Sequence, residues 1–450
     1  TIDSTWTWKT LGSAEATYLA REDVNAFDIN TVRNNIERIG QLLSIYNDPA
    51  SLSYQLLIKC RNILESQPTT PVPEIFKITE FAERVTAANL KFPIEHSTRF
   101  VSALCTKPFV ILTGLSGSGK TKLAQAFAQW ICEDENQYCI VPVGADWTNR
   151  EPLLGYPNAL EKGKYIKPDN GVIDLIVEAG NNLGKPFFLI LDEMNLSHVE
   201  RYFADFLSAM ELGKDSEITL HTGDSAWDGV PSSVKLPNNL FMIGTVNIDE
   251  TTYMFSPKVL DRANVIEFRV SDEEMAAFLE NPAKPDISKL AGAGAGMAAD
   301  FVALAESEVN EFRDKEKINA ELTNFFKELK KIGAEFGYRT ASEIYRFAGQ
   351  LDRLTAKEGK KWKTDDVIDA AVIQKLLPKV HGSRSKLDPV LKALATLCLA
   401  DKNESNALFK ETWDFERIPK DKIRFPLSLE KIIRMRRRVI QDGFTSFAEA

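Results

Sequence analysis

Long apolar runs are missing from this sequence of 450 residues. No stretch reaches the roughly 18 apolar residues of a membrane-spanning helix, and no basic-then-apolar opening resembles a signal peptide. The chain opens on Thr rather than Met, compatible with an upstream segment having been removed. Cysteine and histidine are scarce: five cysteines (Cys60, Cys105, Cys132, Cys139, Cys398) and four histidines lie scattered without metal-ligand spacing. That argues against a disulfide framework or a structural metal site, and predicts reduced, partly buried thiols of a cytoplasmic protein. Positive charge is not in excess either, with 55 Lys and Arg against 64 Asp and Glu for a net charge of −9. General binding of nucleic acid by this chain alone is not expected, because neutralising phosphates needs clustered cations. Two local clusters exist, Lys357, Lys360, Lys361 and Lys363, then Lys431, Arg434, Arg436, Arg437 and Arg438, and both read as solvated helix faces.

What is present divides the chain into two or three domains, since its length exceeds one ordinary core. Residues 1–75 read as a helical segment, with Val32, Ile36, Ile39 and Leu43 at helical spacing, closed by a Pro-rich linker at Gln67–Pro73. Residues 76–272 alternate between strands and helices. Short apolar runs at Phe109–Thr113, Cys139–Val143, Phe187–Leu191, Leu240–Thr245 and Val265–Phe268 predict an α/β domain with a five-stranded parallel sheet covered on both faces. Two helical stripes, Leu123, Phe127, Trp130 and Ile131, then Val199, Phe203, Phe206 and Met210, read as core. Turn-rich stretches around 156–172 and 218–239 predict inserted hairpins. Residues 273–450 are expected to be mostly helical, after a Gly-Ala loop at Gly292–Gly296 that reads as a flexible connection.

The chemistry concentrates at strand ends. Gly114, Leu115, Ser116, Gly117, Ser118, Gly119, Lys120 and Thr121 fit G-x-x-x-x-G-K-[ST] between an apolar strand and an amphipathic helix. Glycines let backbone amides surround phosphate oxygens, and the helix N-terminus adds positive potential. Lys120 would contact the β- and γ-phosphates and Thr121 would offer its hydroxyl to Mg²⁺. Phe187–Leu191 then delivers Asp192 and Glu193 to the C-terminal edge of a buried strand, where open α/β sheets bind ligands. Asp192 would hold the metal, and Glu193 would orient and deprotonate the attacking water. Asn247, ending another strand, would fix the water or the γ-phosphate, unless it merely forms a turn. Ser256 and Pro257 open a short helix as cap and first residue. Arg262 follows as a cation for the developing phosphoryl charge, or else as half of a surface pair with Asp261. Thr340 and Glu343 read as a capping box, and Arg339 before them could face the nucleotide.

In this order, phosphate loop, Asp-Glu, polar strand end, Leu-Asp-Arg and a helical region led by Arg, residues 76–450 resemble the AAA+ ATPases. More narrowly they resemble the dynein-related branch with its MoxR-type ATPases, and within it the McrB family of restriction motors. Asp192-Glu193-Met194-Asn195-Leu196 is similar to that family's D-E-I-N-R, keeping Asn195 and replacing the Arg by Leu196. Val246-Asn247-Ile248-Asp249-Glu250-Thr251 stands where the family has M-N-T-A-D-R, with Asn247 matching. Residues 382–391 and the closing segment Phe425–Phe447 are similar as well.

The resemblance implies an AAA+ P-loop fold with a helical lid, Mg²⁺, and ATP or GTP as substrate. The altered stretches lean towards ATP. Lys120, Thr121, Asp192, Glu193 and Asn247 would take the family's nucleotide and catalytic roles. Arg262 would be an arginine finger acting across a subunit boundary, and Arg339 the second sensor. Self-association into a ring, usually a hexamer, follows by the same likeness. No methylated-DNA-recognition domain is visible in residues 1–75. Contact with DNA is therefore expected through another domain or a partner. The first functional expectation is the motor subunit of an McrBC-like antiphage restriction complex, driving a separate McrC-like nuclease on DNA. A MoxR-like protein-remodelling ATPase and a nucleotide-gated assembly switch are the alternatives, and Glu193 speaks against the switch.

Overall fold

The five apolar runs become five strands of one parallel sheet: β1 (Phe109–Gly114), β2 (Tyr138–Pro142), β3 (Phe187–Asp192), β4 (Leu240–Asn247) and β5 (Asn264–Phe268). Their order across the sheet is β2-β3-β4-β1-β5. The computed structural model describes Ile58 and residues 74–450, apart from 214–215, 249–252, 281, 283, 310–311, 357 and 360–361. The helical segment and linker expected before residue 74, Cys60, the stretch Asp249–Thr251, and Lys357, Lys360 and Lys361 lie outside the described residues. The description below concerns residues 75–450.

Alternate residues of a strand face opposite sides. Here both sides are covered, so the strands read as unbroken apolar runs. Val110, Leu112, Phe188, Ile190, Phe241 and Ile243 enter one core with the helices α1 (Ile78–Ala87), α2 (Ile94–Thr106) and α3 (Lys120–Ile131). Phe109, Ile111, Leu189, Leu191 and Met242 enter the other, with α4 (Val172–Asn181) and α5 (Ala204–Leu212). The two inserted hairpins are present, Tyr156–Pro157 against Tyr165–Ile166 and Glu217–Thr219 against Ser233–Lys235. They are tied together where Tyr165 N donates to Asp228 Oδ2 at 3.0 Å.

The rest is largely helical: α6 (Asp272–Glu280), α7 (Ala298–Glu306), α8 (Lys315–Lys330), α9 (Tyr338–Ala356), α10 (Thr364–Ala371), α11 (Arg384–Leu397), α12 (Ser405–Glu411) and α13 (Pro426–Asp442). Among the described residues no helix is long and apolar enough to cross a membrane. Burial pushes up the thiols of Cys132 and Cys139, the latter to about 12, so neither is poised as a nucleophile.

Two expectations are corrected. The Gly-Ala stretch is no flexible connection. Gly292 N and Gly294 N donate to Gln129 O and Trp130 O at 2.9 and 2.7 Å, satisfying carbonyls in the last turn of α3. Glycine is required at 294 because a Cβ there would come within 2.3 Å of the Trp130 ring. Of the second basic cluster only Arg437 and Arg438 are solvated, and Lys431, Arg434 and Arg436 are not. Lys431 Nζ and Arg434 Nη2 reach Glu267 of β5 at 2.8 and 2.7 Å, while Arg436 pairs with Asp388 and lies over Trp413. Burial brings Lys431 down to about 8 against the pull of Glu267. Burial also opposes the charge of Glu267, yet Lys431 and Arg434 hold its carboxyl below the usual range. Removing the carboxylate leaves two cations without their anion. Glu267→Ala is expected to destabilise the fold by about 3–5 kcal/mol, read from chemical denaturation beside the unmodified protein. A loss under about 1 kcal/mol would show that water reaches the site.

Candidate active site at the C-terminal edge of the sheet

Strand register brings the expected residues to one edge. Gly114 ends β1 opposite Asn247 of β4, and Leu191 of β3 pairs with Gly244, so Asp192 comes level with Thr245. Gly114 is required because a Cβ there would lie 2.5 Å from Phe268 O. Ser116, Gly117, Ser118 and Gly119 then turn the chain into α3, whose first residues are Lys120 and Thr121. The buried Lys120 ammonium donates to Gly114 O at 3.0 Å, Leu115 O at 2.5 Å and Ser118 Oγ at 3.4 Å. It is thus held at the mouth of the loop.

Thr121 Oγ1 donates to Asp192 Oδ1 at 2.7 Å, and Thr245 Oγ1 donates to the same oxygen at 2.6 Å. Thr245 in turn accepts from Glu193 N at 3.0 Å, and Asn247 Nδ2 donates to Glu193 Oε1 at 3.1 Å. Glu193 has φ 54° and ψ 46°, the left-handed region that a residue with a Cβ enters at a cost of about 1–2 kcal/mol. Such outliers persist where the surroundings over-determine them, and here two side chains of β4 do so. Thr245 was not singled out from the sequence. Its signal was available: a hydroxyl inside an apolar strand, two residues before Asn247 and therefore on the same face.

Arg262 lies elsewhere. It precedes the N-terminal end of β5, while the phosphate loop follows the C-terminal end of β1; with parallel strands, a strand of six residues separates the two levels by roughly 20 Å. Its side chain, 4% exposed as a residue, donates from Nε to Leu207 O at 2.8 Å and from Nη1 to Lys258 O at 2.6 Å, and pairs through Nη2 with Glu211. Asp261 pairs instead with Lys379, so the two neighbours are not a surface pair with each other. Ser256 and Pro257 do open the short helix Pro257–Leu260, although the Ser256 hydroxyl makes no capping bond.

Arg339, expected to face the nucleotide, stands at this far edge too, with Nη2 at 3.7 Å from Glu211. The reason is packing beneath it. Helix α9 already begins at Tyr338, and Glu343 is drawn from any capping role into ion pairs with Lys107 and Lys375 at 2.5 and 2.6 Å. Lys107, two residues before β1, also donates to Asp261 O at 3.1 Å. Buried charges anchor the start of α9 at the N-terminal edge of the sheet.

A phosphate loop after the first strand, an acidic pair after the third and a polar end to the fourth, on a sheet ordered β2-β3-β4-β1-β5, define the topology. This is an AAA+ ATPase-like fold. Among solved structures, a protein from Cytophaga hutchinsonii described as a candidate ATPase shares 16% identity, with 67% of this chain and 88% of that one covered and a TM-score of 0.44. A full-length MCM homolog from Methanopyrus kandleri shares 13% identity over 63% of this chain and 58% of that one, at a TM-score of 0.35. The ADP complex of Hsp104 from S. cerevisiae shares 18%, over 60% and 50%, at 0.31. These likenesses are low, and the fold rests on the strand order and loop positions. Residues 286–444 match a family model described as a domain of unknown function, DUF8727. No curated protein matches the sequence.

Proposed function

We propose that this chain is a nucleoside triphosphate hydrolase, acting on ATP or GTP, whose active site is completed by a second copy of itself. The observation that carries the reading is the hydrogen-bonded chain Thr121–Asp192–Thr245–Glu193–Asn247 beside the phosphate loop. Gly114 to Gly119 and the N-terminus of α3 would cradle the phosphates, and Lys120 would exchange its loop carbonyls for phosphate oxygens. Thr121 and Asp192 would hold Mg²⁺: both offer hard oxygens, and their hydrogen bond at 2.7 Å already places the two side by side beneath the loop. Bound there, the metal supplies neutralisation of phosphate charge. Glu193 takes a proton from the attacking water, and Asn247 keeps its carboxylate aimed. Arg262, a strand length from its own loop, would serve the nucleotide of a neighbour, which implies a closed ring, a hexamer by resemblance.

The finer reading, an McrBC-like restriction motor coupled to a separate nuclease on DNA, rests on the likeness of Asp192–Leu196 and Val246–Thr251 to McrB motifs. Two measurements test the proposal. Purified protein should release phosphate from ATP or GTP with Mg²⁺; binding without release would leave an assembly switch. A tagged chain held with a slowly hydrolysed nucleotide should then retain a nuclease subunit in stoichiometric amount. A metal-ion-adhesion protein with no nuclease would instead favour a MoxR-like remodelling ATPase.

Thr245 is a positioning residue in this scheme. Thr245→Val removes one bond to Asp192 and one from Glu193 N while keeping the shape. With about 1.5–3 kcal/mol for a bond to a charged group, kcat should fall about 10- to 150-fold with nucleotide affinity within about threefold. Steady-state kinetics beside equilibrium binding reads that split, and an unchanged kcat would remove Thr245 from the mechanism.

A further inference from the structure

Glu211 is the last acidic residue of α5, the helix that leaves the active-site edge after β3 and ends at the opposite edge of the sheet. Its carboxylate is 47% exposed, yet it pairs with Arg262, whose side chain is only 5% exposed. Its other oxygen lies 3.7 Å from Arg339 Nη2. Leu207 O, one turn earlier on the same helix, accepts from Arg262 Nε. Helix α5 thus offers Arg262 a second acceptor site on the Leu207 carbonyl one turn before its end, and there, near the negative end of its dipole, a carboxylate. Three of the five N–H donors of the guanidinium are directed at Leu207 O, Lys258 O and Glu211, which fixes its plane. Arg339 close by disfavours the charge on Arg262, after burial the second influence lowering its pKa, and Glu211 is the anion between the two. No motif drew attention to Glu211, since a Glu at the end of an amphipathic helix reads as solvated surface.

We infer that Glu211 is the positioning residue of the trans-acting cation: it orients Arg262, and holds Arg339 beside it, for the neighbouring subunit's nucleotide. This rests on the reading of Arg262 given above. Without the carboxylate, the buried guanidinium keeps two carbonyl partners but loses its third contact and its counter-ion beside Arg339, so the charge it presents to the neighbour's phosphate is held less firmly in place. The loss falls on kcat, because nucleotide is bound by the other subunit's loop. Glu211 also stands on the helix that holds the second hairpin, where Arg150 Nη1 bridges Asp205 and Thr219 O at 3.0 and 2.9 Å. A shift of that hairpin would move the finger and its counter-ion together.

The test is Glu211→Gln, which keeps the side chain's size and half-exposed setting. Phosphate release at saturating nucleotide should fall at least about tenfold, the loss expected for one charge-assisted bond, with KM within about twofold. Mixed with Lys120→Ala subunits, the variant should recover activity, because a Lys120→Ala subunit supplies an Arg262 with its Glu211 intact to the variant's sound loop. Glu211→Asp, retaining the charge, should lose less than Glu211→Gln. Full activity of Glu211→Gln overturns the inference. So does a loss that Lys120→Ala subunits do not rescue while they do rescue Arg262→Ala, since Glu211 would then act within its own subunit. If Arg262→Ala itself is never rescued, the trans-acting role of Arg262 fails first, and the inference falls with it.

Discussion

Replacing Glu193 by Gln is expected to lower kcat for phosphate release by about 10²- to 10⁴-fold while nucleotide binding and ring assembly persist. The amide keeps the length of the side chain and still presents an oxygen to Asn247 Nδ2, now 3.1 Å from Glu193 Oε1, so the strained backbone at φ 54° has no new reason to relax. What disappears is the basicity that accepts the water's proton. Thr121 and Thr245 keep their bonds to Asp192, so the residues proposed to hold phosphate and metal are untouched. Single-turnover hydrolysis and equilibrium nucleotide binding, run on the same preparation, measure the two quantities separately. Retained turnover would remove Glu193 from its role, and lost binding would make it structural.

Arg262→Ala should be nearly inactive alone, with kcat down by about 10³- to 10⁵-fold, the range for loss of a cation at the developing phosphoryl charge. The larger content of the prediction is its rescue. Mixed with Lys120→Ala subunits, activity should return in part, because a ring of both kinds contains interfaces where a sound loop faces a sound Arg262. Geometry makes the rescue decisive. A strand's length separates Arg262 from its own loop, so a cis role would require the sheet itself to be rebuilt. Truncation also removes the guanidinium bonds to Leu207 O and Lys258 O and leaves Glu211 without its partner, so melting curves should accompany the kinetics. Recovery at some mixing ratio separates a lost cation from a lost fold, and its absence at every ratio would argue that Arg262 does not act in trans.

Much of the α/β half was legible because its signals are local. Each apolar run is bounded by turn residues, and a strand covered on both faces must be apolar throughout. The phosphate loop declares itself by its glycines and by the helix it opens, and Asp192 and Glu193 by their position after Phe187–Leu191. Asn247 was visible as the polar end of an apolar strand. The failures share one cause, partners distant in the chain. Arg339 was read from its place before a helix, but Glu343, Lys107 and Lys375 decide where that helix starts. Lys431 and Arg434 resembled a solvated face until Glu267 of β5 met them across more than 160 residues. Gly292–Gly296 looked mobile by composition, yet it is the piece of chain that caps α3 and makes room for Trp130.

The sequence by itself determined the loop Gly114 to Thr121 and the Asp192–Glu193 pair, since these depend on spacing within one loop and at one strand end. It also determined that a parallel sheet would carry them. Only the tertiary structure decided what each charge does. Parallel register brings Thr245 and Asn247 onto Asp192 and Glu193 and leaves Arg262 at the opposite edge, where the ion pairs of Glu343 also anchor the helix that carries Arg339. The physical reason is that a buried charge is stable only beside its counter-ion. Counter-ions such as Glu211, Glu267 and Glu343 meet their cations through the packing of the sheet and its helices, which no local pattern encodes.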